Sequence, residues 1–331
     1  MKLLGLGYVG CSAPQPLECL RFGTVVLGMM PARALPGEAF GVAALPDTAP
    51  PSAGRGVADD GTVYLKMDHH QWRIAVRPSD HYRTDFIGLE AANEADFAEA
   101  RLELRARGVQ ITDATADELR RRGVRGMCWF RDPAGNRIEI FWCPVLDYSF
   151  VSPVGASFRT GPLGMGHLNL FVSDLDASLA FWTSTMGFRL RDFVRFGGGG
   201  AYFTGCTPRH HTIALGSVGP VDITHHLLLE LDDVDAVGRI LDRATDDGAD
   251  ITATLGRHKN DHMLSFYMSS PFGFEIEVGC QGIDVDDETW VVKEFVEGDW
   301  WGHRGLTPEA FGRFITKMTT GVSAPASANG R

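Results

Sequence analysis

SPFGFEIEVGC, Ser270–Cys280, reads as a Pro-Gly turn feeding a strand, and the chain carries a second version of it. DPAGNRIEIFW, Asp132–Trp142, stands 138 residues earlier with the same turn and the same central Ile-Glu pair. Moving outward, FIGLE ending at Glu90 matches HLLLE ending at Glu230 at an offset of 140 residues. LGYVG, Leu6–Gly10, matches MGHLN, Met165–Asn169, and VLGM, Val26–Met29, matches TMGF, Thr185–Phe188, both at an offset of 159. The chain is therefore an internal repeat. The change of offset places about 19 extra residues in the first half, and the Pro-, Gly- and Ala-rich stretch Pro31–Gly61 supplies them as a surface loop or lid.

Each half divides again. Residues 166–172 alternate as a strand, and residues 174–186 carry Leu175, Leu179 and Trp182 on one helical face. Strands follow at 201–206 and 212–216. The next unit repeats the order, with strand 224–231, helix 234–246 and strands 251–255, 264–268 and 275–279. The unit is βαβββ, and four begin near residues 3, 84, 164 and 222. This predicts an α+β fold of two domains, each pairing two βαβββ modules into a cupped mixed sheet. The expected bounds are residues 1–145 with the insertion at 31–61, residues 160–300, and a tail at 301–331.

A chain of 331 residues suits two such domains. The net charge of -11, with no basic cluster, argues against nucleic acid as a partner. Cys11, Cys19, Cys128, Cys143, Cys206 and Cys280 form no CxxC pair, which points to reduced thiols and a cytoplasmic protein. The apolar run after Lys2 is short and broken by Gly5, Gly7 and Gly10, so it does not make a signal peptide, and no stretch approaches the ~20 apolar residues of a membrane helix.

Seven of the eleven histidines fall between His167 and His262. His167 sits on the first strand of the third unit, His226 on the first strand of the fourth, and Glu277 on that unit's last strand. In a cupped sheet these strands line the cup, and two imidazoles with one carboxylate on one face of a metal leave three positions open. The repeat supplies an internal control: Tyr8 stands opposite His167, Phe86 opposite His226 and Glu139 opposite Glu277. The first half therefore keeps the fold and should lack the metal. Strand parity allows only one of His225 and His226 to be a ligand, and the repeat register favours His226. His210, His225 and His262 are expected to be structural or to support the ligands; His69 and His70 lie in the metal-free half.

The second half, with GMGHLNLFV (His167), RHHTIAL (His211), THHLLLEL (His226), LGRHKNDHMLSFYMSSPFG (His258, Asn260, Asp261 and Tyr267) and EIEVG (Glu277), resembles the type I extradiol dioxygenases of the vicinal oxygen chelate superfamily. The nearest likeness is to the enzymes that cleave 2,3-dihydroxybiphenyl. The first half matches more loosely, in MDHHQWRIAV and RRRGVRGMCWFRDPAGNRIEIFW. The resemblance implies iron(II) at His167, His226 and Glu277, a donor set that also accepts manganese(II), with His211 as the acid/base residue beside dioxygen. It implies that His258 and Tyr267 hydrogen-bond the bound catecholate and that Asn260 and Asp261 belong to the surrounding shell. It further implies a catechol, bicyclic or aryl-substituted, and O2 as substrates, a ring-opened muconic-semialdehyde-type product and a homo-oligomer. Lys259 and Ser270 depart from the family pattern without removing a residue the chemistry needs. The rival expectations are a glyoxalase-like isomerase or lyase, whose sites generally add a second carboxylate, and a metal-free sequestering protein of the same fold.

Overall fold

The computed structural model describes residues 1–38, 54–196 and 199–320. The first unit runs β1 (Leu3–Ala13), α1 (Pro16–Arg21), β2 (Met30–Pro31), β3 (Val63–Lys66) and β4 (Ile74–Pro78). The second runs β5 (Arg83–Ala91), α2 (Glu94–Ala106), β6 (Thr112–Asp113), α3 (Ala116–Arg122), β7 (Val124–Arg131) and β8 (Arg137–Pro144). The third holds β9 (His167–Phe171), α4 (Leu175–Ala180), β10 (Arg189–Phe196), β11 (Gly199–Gly205) and β12 (Ile213–Ser217). The fourth holds β13 (Ile223–Leu231), α5 (Val234–Asp246), β14 (Ile251–His258), β15 (Leu264–Met268) and β16 (Glu275–Cys280), followed by β17 (Lys293–Phe295), β18 (Asp299–Trp301) and α6 (Pro308–Thr320).

The four units assemble into two mixed sheets. One has the order β2-β3-β4-β1-β5-β8-β7-β6, the other β17-β10-β11-β12-β9-β13-β16-β15-β14-β18. In each, the first strands of the paired units, β1 with β5 and β9 with β13, lie antiparallel at the centre. The repeat extends to a local irregularity: α1 and α4 both widen into a π turn, at Phe22–Val26 and Phe181–Thr185. α5 forms where Asp233 caps Ala236 N and buries Val237, Ile240 and Ala244 at helical spacing. Gly166 at φ 152° brings β9 so close to β13 that a Cβ there would overlap the Leu228 carbonyl oxygen, and this close approach sets His167 beside the neighbouring strand.

The structure adds elements to those read from the sequence. β10 was not anticipated as a strand, because charged Arg189, Arg191, Asp192 and Arg195 interrupt its apolar pattern. α3 carries a full capping box, Thr115 to Glu118, ahead of a left-handed Gly123, a signal present in the sequence. Beyond residue 300 the chain is integrated into the second sheet: β18 pairs with β14, and α6 sets Phe311 and Phe314 against Phe171. Residues 39–53 of the insertion and 321–331 of the tail lie outside the described residues. Among the described residues, no helix is long and apolar enough to cross a membrane.

The two cups are filled differently. In the first, Tyr8, Phe86 and Glu139 meet as the repeat register requires. The Tyr8 hydroxyl donates to Glu139 Oε2 at 2.7 Å, and the Phe86 ring lies edge-on to Tyr8 with centroids 5.7 Å apart. Arg122 closes on the fully buried Glu139 carboxylate with two bonds of 2.8 Å, Arg137 adds a third of 2.8 Å, and the Arg122 guanidinium covers the Phe86 ring at 3.5 Å. Positive charge in this cup thus comes from guanidinium groups. Replacing Arg122 by Ala should cost about 2–3 kcal/mol, below the range for a buried charge stripped of its partner because Arg137 remains. A urea titration of R122A measures this, with metal bound per chain expected to stay at the wild-type value.

Candidate metal centre

In the second cup the residues that replace Tyr8, Phe86 and Glu139 converge on one point. His167 Nε2 lies 3.3 Å from His226 Nε2 and 3.3 Å from Glu277 Oε2, and His226 Nε2 lies 3.4 Å from the same carboxylate oxygen. All three are buried, Glu277 to 1% exposure. The triangle is built by adjacent strands. β9 and β13 run antiparallel, β13 and β16 run parallel, and Leu228 pairs with both His167 and Glu277.

Burial holds the His226 pKa well below the usual imidazole range, and neighbouring His225 adds to the shift. Burial also works against the Glu277 carboxylate, but hydrogen bonds from His167 and His258 outweigh it and hold the pKa well below the usual range. A buried carboxylate with two imidazole nitrogens within 3.4 Å of one oxygen, one of them held neutral by burial, is a compact set of metal-ligating atoms. A divalent ion satisfies all three groups at once, as Arg122 does for Glu139 in the other cup. The residues present therefore fit a metal.

The supporting residues follow one pattern. His226 Nδ1 meets His225 Nδ1 at 2.8 Å, and His225 Nε2 faces Glu275 Oε2 at 3.7 Å. The strand-parity argument does not hold here. A register shift between Thr224 and His226 bulges β13, so His225 and His226 both line the cavity. Only His226 has contacts with His167 and Glu277; His225 stacks on Phe171 instead, with ring centroids 4.4 Å apart. Burial drives the His225 pKa down to about 3, so this ring stays neutral and can hold the Nδ1 hydrogen of His226, which leaves Nε2 free as a ligand atom.

His211 is held in the same way. Its Nδ1 lies 3.1 Å from His210 Nδ1, whose Nε2 lies 2.7 Å from Asp192 Oδ2. If His210 donates to Asp192, its Nδ1 accepts from His211 and the lone pair of His211 falls on Nε2. Burial, then the proximity of His167 and His210, holds the His211 pKa well below its usual value. The His211 ring sits 3.8 Å from that of His167, centroid to centroid.

On the opposite side His258 Nε2 lies 2.8 Å from the Tyr267 hydroxyl and 3.5 Å from Glu277 Oε1. Asp261 Oδ2 is 3.9 Å from His211 Nδ1, its Oδ1 accepts from Met263 N at 3.0 Å, and Asn260 is buried beside it at the cavity wall. His262, at φ 60°, points away against Trp300. Asp192 was not found in the sequence, and neither were three participants on this side, Asp299, His303 and Ser265. Asp299 Oδ1 bridges His258 Nδ1 at 2.6 Å and His303 Nδ1 at 2.7 Å, while Ser265 donates to Glu277 Oε1 at 2.6 Å and meets His303 Nε2 at 3.1 Å. Nothing in the local sequence around His303, WWGHRG, links it to Ser265.

The centre opens into a cavity of about 490 Å3 whose walls include Phe171, Val194, Phe196 and Phe203, with Phe311 and Ile315 from α6. The lining is mostly apolar, in the manner of a small-molecule site.

Residues 23–140 and 164–278 match the model of the Glyoxalase/Bleomycin resistance protein/Dioxygenase superfamily. The chain is 41% identical over 315 residues to an iron-dependent extradiol dioxygenase of Rhodococcus jostii, covering 92% of this chain and 97% of that one. It is 35% identical over 321 residues to a biphenyl-2,3-diol 1,2-dioxygenase of Paraburkholderia xenovorans, covering 95% and 99%. The crystal structure of a halotolerant catechol dioxygenase superposes with a TM-score of 0.80 at 30% identity, covering 93% of this chain and 97% of that one. The chain belongs to the Glyoxalase/Bleomycin resistance protein/Dioxygenase superfamily. Within it, the protein is an extradiol dioxygenase with a metal cofactor.

Burial opposes a charge on His258, but its bonds to Asp299 and Glu277 prevail and lift its pKa from 6.5 to about 10. A pKa raised on folding contributes stability when the group is protonated. That contribution is complete below about pH 6.5 and fades as pH rises through about 10. In metal-free protein the urea midpoint of H258Q should fall furthest below wild type near pH 6, and the gap should close by about pH 10.

Proposed function

We propose that the protein is an iron(II) enzyme that opens the ring of a catechol beside its diol, with an aryl or other bulky substituent next to the hydroxyls. The observation that carries this is the buried His167–His226–Glu277 triangle at the foot of an apolar cavity. His167, His226 and Glu277 hold the ion. When bound, iron(II) brings catechol and dioxygen together and lets electron density pass between them.

The remaining residues orient the substrate and handle its protons. His211, neutral by burial, offers Nε2 as a base and can return the proton as the ring opens. His210 and Asp192 fix the ring that does this. His258 and the Tyr267 hydroxyl, 2.8 Å apart, hold the second substrate oxygen as its charge changes, and Asp299 keeps His258 in place. Asn260 and Asp261 close the cavity beside His211. Phe203, Phe311 and Ile315 exclude water from the ring. Both oxygen atoms end in a ring-opened, muconic-semialdehyde-type product. Names of the relatives support an aryl catechol as substrate and a role in breaking down aromatic compounds. The six free cysteines agree with a cytoplasmic setting.

Protein loaded anaerobically with iron(II) and mixed with 2,3-dihydroxybiphenyl should take up one O2 per catechol when air is admitted and form a yellow product. His226→Ala should abolish both, and His211→Gln should lower kcat by roughly 10²–10⁴ with a smaller change in KM. No uptake with catechols of any size by iron-replete protein would refute the proposal.

A further inference from the structure

The cavity wall contains a polar side chain, Asn169, that neither the metal centre nor its supporting bonds use. Asn169 lies on β9 two residues beyond His167, so both side chains face the same side of the sheet. It pairs in register with Ala214 on one flank and His226 on the other. Two residues of strand place it about 6–7 Å further along than His167. That offset sets it outside the donor triangle but on the same cavity, within reach of a substrate group other than the oxygens held at the centre.

Asn169 is only 9% exposed and lines the cavity, and its buried Oδ1 has no hydrogen-bond partner among the described residues. The walls around it are apolar, with Phe171 two residues on and Phe203 on β11. Gly216, on β12, keeps the space beside the amide open. A Cβ there would lie 3.5 Å from Asn169 Oδ1 and 2.8 Å from Phe171 Cδ1. An amide in this setting takes its partner from whatever fills the cavity. An apolar substituent displaces water and leaves the amide unpaired, which weakens binding. A hydroxyl at the same place restores the bond, donating to Oδ1 or accepting from Nδ2, so either orientation of the amide serves.

We propose that Asn169 is a specificity-determining residue that selects catechols bearing a hydroxyl on the substituent next to the diol. This rests on the catechol reading above and narrows its substrate class. Anaerobic calorimetry of iron(II)-loaded protein would compare 2,3-dihydroxybiphenyl with 2,2',3-, 2,3,3'- and 2,3,4'-trihydroxybiphenyl. At least one hydroxylated isomer should bind about ten-fold more tightly than the parent, an increment of about 1.4 kcal/mol. In Asn169→Leu, close in size but without the amide, the preference should shrink to less than about two-fold, and Asn169→Val serves if Leu disturbs the fold. The proposal is overturned if no isomer binds more than about two-fold better than the parent, or if the preference survives in the variants. Ring cleavage of the parent in air, run on the same samples, separates the two readings. Cleavage without a hydroxyl preference overturns the Asn169 assignment alone, whereas a preference without cleavage supports it and overturns the dioxygenase reading.

Discussion

A carboxylate buried to 1% exposure between two imidazoles is the constraint from which the second half of this protein is built. Glu277 cannot stay charged there without a cation or a dense set of donors. The first half meets the same demand at Glu139 with two guanidinium groups and a phenol, and so completes its cup with protein atoms. The second half meets it in part with Ser265 and His258, and leaves a cation-sized centre between the carboxylate and the two imidazoles. One fold, duplicated, supplies a structural cup and a metal-binding cup that differ by a handful of side chains at matching strand positions.

The neighbouring histidines then follow from hydrogen-bond logic. Two doublets, His210–His211 and His225–His226, each turn one Nδ1 onto the other, so that the outer ring fixes the inner one. Asp192 anchors the first outer ring, while the second packs against Phe171 and faces Glu275 at 3.7 Å. On the far side Asp299 binds two histidines through a single oxygen, and His303 returns to Ser265 and hence to Glu277. These links join β10, β14, β15, β16 and β18 around the centre, which gives the ligand atoms a rigid seat.

Much of this was legible because the repeat supplied a register. His167, His226 and Glu277 stood out against Tyr8, Phe86 and Glu139, and the α5 and β15 bounds agree with the apolar spacing. The unread parts have no counterpart in the first half or depend on distant contacts. Asp192 meets His210 across 18 residues and Asp299 meets His258 across 41, and no local pattern announces either pair. The β13 bulge defeated strict strand alternation, which assumes an unbroken ladder. The involvement of α6 in the cavity was hidden because a short amphipathic helix near a chain end reads the same whether it packs or floats. Asn169 has no signal in the sequence, since its significance lies in a missing partner that only the three-dimensional structure exposes.

The central claim is that one metal ion binds where the three donor atoms of His167, His226 and Glu277 meet, and that the matching cup of the first half holds none. Crystals grown from anaerobically iron(II)-loaded protein, with diffraction measured on both sides of the iron absorption edge, test it directly. The account predicts a single anomalous peak per chain within bonding distance of all three residues and no peak near Glu139. A peak centred on the His210–His211–Asp261 group or on the His258–Asp299–His303 group, with the triangle empty, would contradict it.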